Sequence, residues 1–271
     1  MLLAQNLRKT TKEIHQEVEQ LKFLKRYKTK DLTLEDHYFH LKEIYAIYLQ
    51  FVVSLLKLNI NEKNCTNQLF YIQELINTNF AIEKDLKILE QIIPDRLSKN
   101  LTSLENCPAT KVYANHIASL KNPEEILAHC CVRWFGDSYG GQKLKKKVID
   151  LYVIYKQDKQ NDQNDQNDQN DISPPVNFYN SAIPSKILTK NLNNLGQNKN
   201  FTQDKEVSFL KEAKEALLYH KPIFKQLEEK RQKHIKAKKD YNYFNTIATI
   251  TGVVAVGVAI SYGYYRNIQP K

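Results

Sequence analysis

The chain has 271 residues, with 42% hydrophobic and 26% charged residues and a formal net charge of +10. This balance is typical of a globular protein and excludes an intrinsically disordered chain. The four cysteines form no CxxC pair and no regular framework, so we expect reduced cytosolic thiols rather than a disulfide scaffold. Adjacent Cys130 and Cys131 are an alternative metal site, but zinc would need two further ligands.

Apolar residues recur at helical spacing along most of the chain, and no alternating strand pattern of useful length occurs. Glycine is nearly confined to 136–141 and 252–263, which also favours helices elsewhere. We therefore predict an all-α fold with one domain over residues 1–229. The predicted helices cover residues 5–25, 33–58, 66–78, 82–93, 109–120, 123–155, 178–195 and 203–236.

One segment inside this domain has a different composition. The sequence "QNDQNDQNDQND" (160–171) repeats one polar triplet four times and has no apolar residue with which to pack a core. We predict a disordered low-complexity insert over residues 157–175 that interrupts the domain without ending it, because amphipathic sequence resumes afterwards.

The C-terminal part combines a basic segment with an apolar one. Residues 230–240 contain "KRQKHIKAKK", and residues 241–265 carry no charge and have tyrosines at both ends. About 20 apolar residues suffice to span a membrane, so we predict a tail anchor at 241–265, with the basic juxtamembrane segment and the large domain in the cytosol. A buried core helix is the alternative.

The same part of the chain bears on partners. Because the positive charge concentrates beside the predicted span, it favours a membrane surface over nucleic acid. Small residues at four-residue spacing (Ala248 and Gly252, Ala255 and Ala259) permit weak self-association of the span, although plain filling of the bilayer explains them equally well.

The first candidate site lies in "LRKTTKEIHQEVEQ" (7–20). Arg8, Lys12, His15 and Glu19 form one stripe along a helix face, beside an apolar stripe. The stripe is either an ordinary solvated face or a haem site. In a haem site, His15 ligates the iron and Glu19 orients its ring. Arg8 and Lys12 then face the anionic propionates.

The second candidate site lies in "VRWFGDSYGGQKLKKK" (132–147), which has three glycines within six residues. Each glycine costs a helix about 1 kcal/mol relative to alanine. Gly136 and Gly140 share one face with Gly141 beside them, so the backbone there can closely approach a flat ligand or kink. Asp137 lies slightly off this face and could hold a water chain. Tight helix–helix packing is the alternative.

Together, "LRKTTKEIHQEVE" and "AHCCVRWFGDSYGGQKLKK" resemble haem oxygenases of the eukaryotic, tail-anchored type. A later stretch, "FLKEAKEALLYHKPIFKQLEE" (209–229), resembles the family's late helix. The resemblance implies one all-α domain that holds haem between a proximal helix and a kinked distal helix. It implies oxidative cleavage of haem b, both substrate and cofactor, to biliverdin, carbon monoxide and ferrous iron. Oxygen is consumed, and electrons come from NADPH through cytochrome P450 reductase at the endoplasmic reticulum membrane.

The resemblance also implies residue roles. His15 corresponds to the axial iron ligand, and Asp137 to the residue that orders waters for proton delivery. Gly136, Gly140 and Gly141 correspond to the distal helix. The residues that correspond to propionate contacts are Arg8, where the family commonly has lysine, and Lys186 and Lys190 in a later helix. Alternatively, Lys186 and Lys190 are ordinary surface lysines.

Two departures from the family pattern concern the distal side. Cys131 stands where tyrosine is usual, and Tyr139 replaces a small residue inside the glycine run. These departures keep open a second function, a membrane-tethered haem sensor or carrier that binds haem without degrading it. A third hypothesis, a tail-anchored helical adaptor without cofactor, leaves the histidine stripe and the glycine run unexplained.

Overall fold

The structure of the protein is a computed structural model that describes residues 2–29, 31–59, 66–93, 106–162 and 173–268. Within these ranges the regular structure is entirely helical, which confirms the predicted all-α class. The helices are α1 (Leu3–Glu19), α2 (Lys22–Arg26), α3 (Leu34–Asn59), α4 (Thr66–Ile92), α5 (Pro108–Ser119), α6 (Pro123–Asp162), α7 (Asn177–Asn180), α8 (Ser185–Gly196) and α9 (Gln203–Ile268).

Helix α3 forms the centre of the unit that comprises residues 1–227, where it packs against α4, α5 and α6. Its start is fixed by a capping box, in which Asp36 N–H donates to Thr33 Oγ1 and Thr33 N–H donates to Asp36 Oδ2. Leu41, Tyr48 and Phe51 of α3 are completely buried. Each such side chain contributes about 1.5–3 kcal/mol by leaving water, so these α3 residues contribute substantially to core stability.

Two helix boundaries differ from the sequence-based prediction. Residues 5–25 are not one helix, because Leu21 adopts an extended conformation that ends α1 and starts α2. This break lets Phe23 enter the core and stack on Phe224. Conversely, the two helices predicted at 66–78 and 82–93 form a single α4.

Two polar residues near the predicted boundary, Thr78 and Asn79, are accommodated within α4. Thr78 Oγ1 donates to the carbonyl of Glu74 at 2.8 Å, and Asn79 Nδ2 donates to the carbonyl of Leu75 at 2.9 Å. Such bonds to the preceding turn allow polar residues to remain inside a helix. The prediction of two separate helices over residues 66–93 was therefore wrong.

Helix α6 is longer than predicted and continues through residues 157–162, which we expected to belong to the disordered insert. The structure also describes residues 173–175 at the other end of that insert, where Pro175 is buried. The remainder, residues 163–172, lies outside the described residues, and its low-complexity character stays a prediction from sequence.

Helix α7 is short and is positioned by α4. The buried carboxylate of Asp85 accepts hydrogen bonds from the backbone N–H groups of Asn177 at 2.9 Å and Phe178 at 2.8 Å. Two otherwise unpaired N–H groups at the start of a helix are thereby satisfied. This anchoring places Tyr179 against Gly141 of α6.

A second unit comprises residues 228–271. Its backbone is helical to Ile268, and the side chains of residues 240–268, which include the predicted tail anchor, lie outside the part of the chain that the structure describes. Among the described residues, no helix combines the length and the apolar character needed to cross a bilayer.

Buried histidines make the stability of the first unit depend on pH. Burial lowers the pKa of both His37 and His220 from 6.5 to about 3. These rings stay neutral in the folded state while the unfolded chain binds protons below pH 6.5, so acidification favours unfolding. We expect the free energy of unfolding to fall by about 1 kcal/mol per histidine between pH 7.5 and 5.5.

Denaturant titrations of the wild type and His220→Gln at these two pH values test this expectation. We expect His220→Gln to be less stable than the wild type at both pH values. On acidification its free energy of unfolding should fall by about 1 kcal/mol less than that of the wild type, because it has one buried histidine fewer. Equal losses in the two proteins would show that His220 does not carry this dependence.

Candidate functional site

A buried carboxylate in α6 is held by two donors. Asp137 is only 4% exposed, and its Oδ2 accepts a hydrogen bond of 2.6 Å from the Tyr48 hydroxyl of α3. Its Oδ1 accepts a bond of 2.5 Å from Arg133 Nη2, one turn earlier in α6. Both oxygens therefore have fixed partners, and the side chain is held in one orientation.

Burial and hydrogen-bond pairing shift the pKa of Asp137 in opposite directions. Burial raises the pKa of Asp137, and the Arg133 guanidinium and the Tyr48 hydroxyl oppose that rise. Burial also raises the pKa of Tyr48 well above its usual value, so the phenol remains a donor. The cluster is a buried, oriented carboxyl group of the kind that organises water or transfers protons.

Two of the three glycines beside Asp137 face open space. A Cβ atom added to Gly136 or Gly140 would meet no atom within 4 Å apart from the nearby backbone of its own helix. Packing against another helix therefore does not explain the absence of side chains at these two positions. They leave a stretch of bare helix surface, and the approach of a flat ligand to it stays a prediction.

Gly141 serves a different purpose from the one we predicted. A Cβ atom at this position would lie 3.2 Å from Cδ1 of the Tyr179 ring. The absence of a side chain thus accommodates the close packing of α6 on α7, and Gly141 does not share the open face of Gly136 and Gly140. The sequence could not separate these roles because Tyr179 lies far away along the chain.

The stripe predicted on α1 is exposed to solvent. Arg8, Lys12, His15 and Glu19 are all exposed, while Leu7 and Val18 of the same helix are buried. His15 Nδ1 lies 3.7 Å from Glu19 Oε1, and both side chains are about half exposed, at 50% and 52%. The imidazole is therefore available to a ligand and has a carboxylate neighbour that can orient it.

A basic cavity of about 330 Å³ connects α1, α6 and α8. Helix α8 packs against both α1 and α6, which brings Arg8 to the predicted cations Lys186 and Lys190. The Arg8 Nη2 atom lies 3.5 Å from the Tyr139 hydroxyl and 3.4 Å from Thr189 Oγ1. The cavity is lined by Arg8, Tyr139, Ser185, Lys186, Thr189, Lys190 and Asn193.

This cavity gathers residues that the sequence places far apart, and three of its side chains are cationic. Lys12, the fourth predicted propionate contact, is not among the residues that line this cavity. Three cations and several hydroxyl groups around one cavity are suited to bind carboxylate groups of a ligand.

A comparison with known protein families agrees with this geometry. The family model described as "Heme oxygenase" matches residues 1–226. The chain belongs to the haem oxygenase family. The match contains both the exposed histidine of α1 and the bare glycine surface of α6.

Among curated relatives, the chain is 31% identical to "Heme oxygenase 1" of Gallus gallus over 150 residues, which cover 53% of this chain and 46% of the relative. It is 26% identical to "Heme oxygenase 1" of Homo sapiens over 162 residues, which cover 55% of this chain and 50% of the relative. The chain thus spans about half the length of the curated relatives it matches.

Solved structures share the fold of this haem oxygenase family member. The structure of haem oxygenase from Leptospira interrogans has a TM-score of 0.62 at 23% identity, covering 83% of this chain and all of that one. The structure of haem oxygenase-1 from Synechocystis in complex with haem has a TM-score of 0.58 at 19% identity, and the match covers 91% of this chain and all of that one.

The sequence-based search missed the partners of Asp137. Arg133 precedes it by four residues in the same helix, and this spacing was a usable signal. Tyr48 lies in α3, and its contact with Asp137 joins residues 89 positions apart. No local pattern reveals such a pair.

Proposed function

We propose that this chain is a haem oxygenase that cleaves haem to biliverdin, carbon monoxide and ferrous iron with O2. One observation carries the proposal. A buried, doubly held Asp137 stands directly beside two glycines whose faces are open. Membership of the haem oxygenase family supports the same activity.

The residues present fit haem b as the bound group. The bare surface at Gly136 and Gly140 is space that ordinary side chains would fill, and the exposed His15 offers an imidazole to iron. The contact of His15 Nδ1 with Glu19 leaves the iron-ligand role to Nε2. When bound, haem supplies the iron that activates oxygen, and its macrocycle is the substrate.

Residues of the chain supply the proton delivery and the positioning of the ligand. Asp137 orders water above the bare glycine surface, and this water delivers protons as a general acid. Arg133 and Tyr48 act as positioning residues that hold both oxygens of Asp137. Gly136 and Gly140 exclude side chains, so the ligand lies close to the α6 backbone.

The basic cavity is the proposed site for the two propionates. Arg8, Lys186 and Lys190 supply positive charge there, and bidentate pairing favours arginine for a carboxylate partner. Lys12 lies on the same α1 face as His15 and supports the binding of an anionic ligand from outside the cavity.

Tyr139 is expected to influence where the macrocycle is cleaved. Its hydroxyl lies 3.5 Å from Arg8 Nη2 in the propionate cavity, so it restricts the rotation of haem in its plane. We expect Tyr139→Ser to change the ratio of biliverdin isomers and to weaken haem binding by a few-fold. Tyr139→Phe keeps the ring but loses the hydroxyl beside Arg8, so it should change the ratio less than Tyr139→Ser does.

Isomer analysis by chromatography and a haem titration test this expectation. Ser138→Ala is the matched control in the same turn of α6. An unchanged isomer ratio in Tyr139→Ser would exclude a role in orientation.

The membrane context belongs to the same proposal. We propose that residues 241–265 anchor the protein in the endoplasmic reticulum membrane with the catalytic unit facing the cytosol. NADPH–cytochrome P450 reductase then supplies electrons on the same surface. The uncharged run at 241–265 and the preceding basic segment support this placement, and weak self-association of the span is compatible with its small residues.

A haem sensor or carrier is the second candidate. The observation that favours it is the bulky Tyr139, which is 57% exposed beside the glycines, together with Cys131 in the buried core. Incubation of the full chain with haem, O2, NADPH and the reductase separates the two functions. Biliverdin and carbon monoxide are the products of an oxygenase, whereas an intact haem spectrum after full reduction would identify a carrier.

A further inference from the structure

A second cluster of ligand-type side chains lies outside the haem site. Glu212 Oε2 of α9 lies 2.8 Å from His116 Nε2 of α5 and 3.0 Å from His129 Nε2 of α6. The three side chains offer ligand atoms that all lie within 4.8 Å of one another. Three separate helices thus direct two imidazole nitrogens and one carboxylate oxygen at a common point.

The donor set has the composition of a known class of metal centre. Two histidines and one glutamate, with a further position open, form the usual ligand set of catalytic zinc sites. Two histidines and one carboxylate also form the facial triad that binds non-haem ferrous iron. We propose that His116, His129 and Glu212 form a binding site for a divalent first-row transition metal.

The present distances are close to those that a metal requires. Zinc lies about 2.0–2.1 Å from nitrogen and about 2.0–2.2 Å from oxygen, so two tetrahedral donors stand roughly 3.4 Å apart. Hydrogen bonds of 2.8 and 3.0 Å to Glu212 mean that each His–Glu pair needs to open by about half an ångström, while the two imidazoles offer ligand atoms within 4.8 Å of each other. Side-chain rotation is sufficient for a shift of this size.

The protonation states suit metal binding. The hydrogen bond from His129 lowers the pKa of Glu212 to about 2, with a further contribution from His116, so this carboxylate is ionised at neutral pH. Burial lowers the pKa of His129, and its ring is therefore neutral. Since the ionised Glu212 only accepts, His129 Nε2 carries the hydrogen of the neutral ring, and this proton moves to Nδ1 when the metal binds Nε2, so none is lost to the solvent.

The surroundings provide both an outer shell and a route of entry. The Tyr113 hydroxyl lies 2.9 Å from His129 Nδ1, where it can accept the proton of that nitrogen once Nε2 binds the metal. His116 is 22% exposed, whereas the other two side chains are buried. The metal therefore enters past His116, and a water molecule can occupy the fourth position.

A connection with the proposed function follows, and it rests on that function. The reaction releases ferrous iron, and the His116–His129–Glu212 cluster is a ligand set that suits Fe²⁺ within the same unit. His129 precedes Asp137 by eight residues of α6, which corresponds to about 12 Å along the helix axis. The cluster is thus a separate site that can receive released iron.

Calorimetric titration of the full chain with Zn²⁺ tests the site itself. We expect binding of one zinc ion, weakened more than about 100-fold by His116→Ala, since loss of an outer-shell partner alone costs roughly 10–100-fold. Tyr113→Phe should weaken zinc binding by roughly 10–100-fold, because it removes an outer-shell partner only. Glu212→Gln should also abolish tight binding, and circular dichroism confirms that the variants fold.

Matched controls separate this site from others. Asn115→Ala removes an exposed neighbour of His116 and should leave zinc affinity unchanged. His15→Ala removes the histidine of the other His–carboxylate pair and should also have no effect. No tight zinc binding, or zinc binding that depends on His15 and persists in His116→Ala, would overturn the proposal.

The extension to iron has its own test. Anaerobic titration with Fe²⁺ should show the same dependence on His116, and absence of Fe²⁺ binding alongside zinc binding would refute the iron link alone. Haem turnover by His116→Ala distinguishes the two proposals, because this residue lies outside the haem site. Loss of metal binding with normal turnover supports the cluster as a separate metal site, and tight zinc binding without turnover would refute only the oxygenase function.

Discussion

Replacing Asp137 with alanine is expected to leave haem bound while the rate of biliverdin formation falls by about 10²–10⁴-fold. The substitution removes the carboxyl group that we propose orders water beside Gly136 and Gly140, while the proposed haem contacts at His15 and the basic cavity are left in place. The rate is measured as biliverdin formed per bound haem, so any change in occupancy is corrected.

This substitution also has a structural cost that must be separated from the catalytic one. Arg133, whose side chain is 11% exposed, donates to the buried Asp137, and removing one partner of a buried pair destabilises a protein by about 3–5 kcal/mol. Asp137→Asn keeps one oxygen that can accept from Arg133, and its amide N–H can donate to the Tyr48 hydroxyl oxygen, but the charge is removed. It should therefore recover much of the stability without recovering the rate.

Asp85→Asn is the matched control, because Asp85 is another buried carboxylate whose hydrogen bonds serve α7 rather than the haem site. It should turn over haem at close to the wild-type rate per folded molecule. Biliverdin formation by Asp137→Ala at the rate of this control would exclude proton delivery through Asp137.

Replacing His15 with alanine is expected to abolish haem turnover without unfolding the protein. The side chain is about half exposed, and surface substitutions usually change stability by less than about 0.5 kcal/mol. The loss arises because the iron no longer has an imidazole ligand from α1. Thermal unfolding and biliverdin formation, measured on the same preparation, give both results.

Gln16→Ala provides the control for this variant, since it removes an exposed neighbour in the same helix. Its turnover and its haem spectrum should match those of the wild type. Normal haem degradation by His15→Ala would show that another residue ligates the iron.

The fold was largely predictable from the sequence because helical periodicity is local. The apolar stripes that predicted α1 and α3 depend on residues within a few turns of one another. Predictions failed where tertiary packing decided the outcome. Leu21 breaks the first predicted helix so that Phe23 reaches the core, and Thr78 and Asn79 bond to the preceding turn inside α4.

The site was predictable only in part. Helix-face patterns led to His15, Asp137 and the glycines, and the resemblance assigned their roles. The resemblance also suggested Lys186 and Lys190, which the structure brings to Arg8 through the packing of α8. Physical reasons limit the rest. Tyr48 and the His116–His129–Glu212 cluster depend on contacts between distant helices, and Gly141 is explained by Tyr179, so their roles become visible only after folding.

The most direct test of the account is an experimental structure of the full chain loaded with haem. The account predicts iron bonded to Nε2 of His15, the macrocycle against Gly136 and Gly140, and propionates in the cavity of Arg8, Lys186 and Lys190. Iron bonded to a different side chain, or haem bound away from the bare surface of α6, would contradict it.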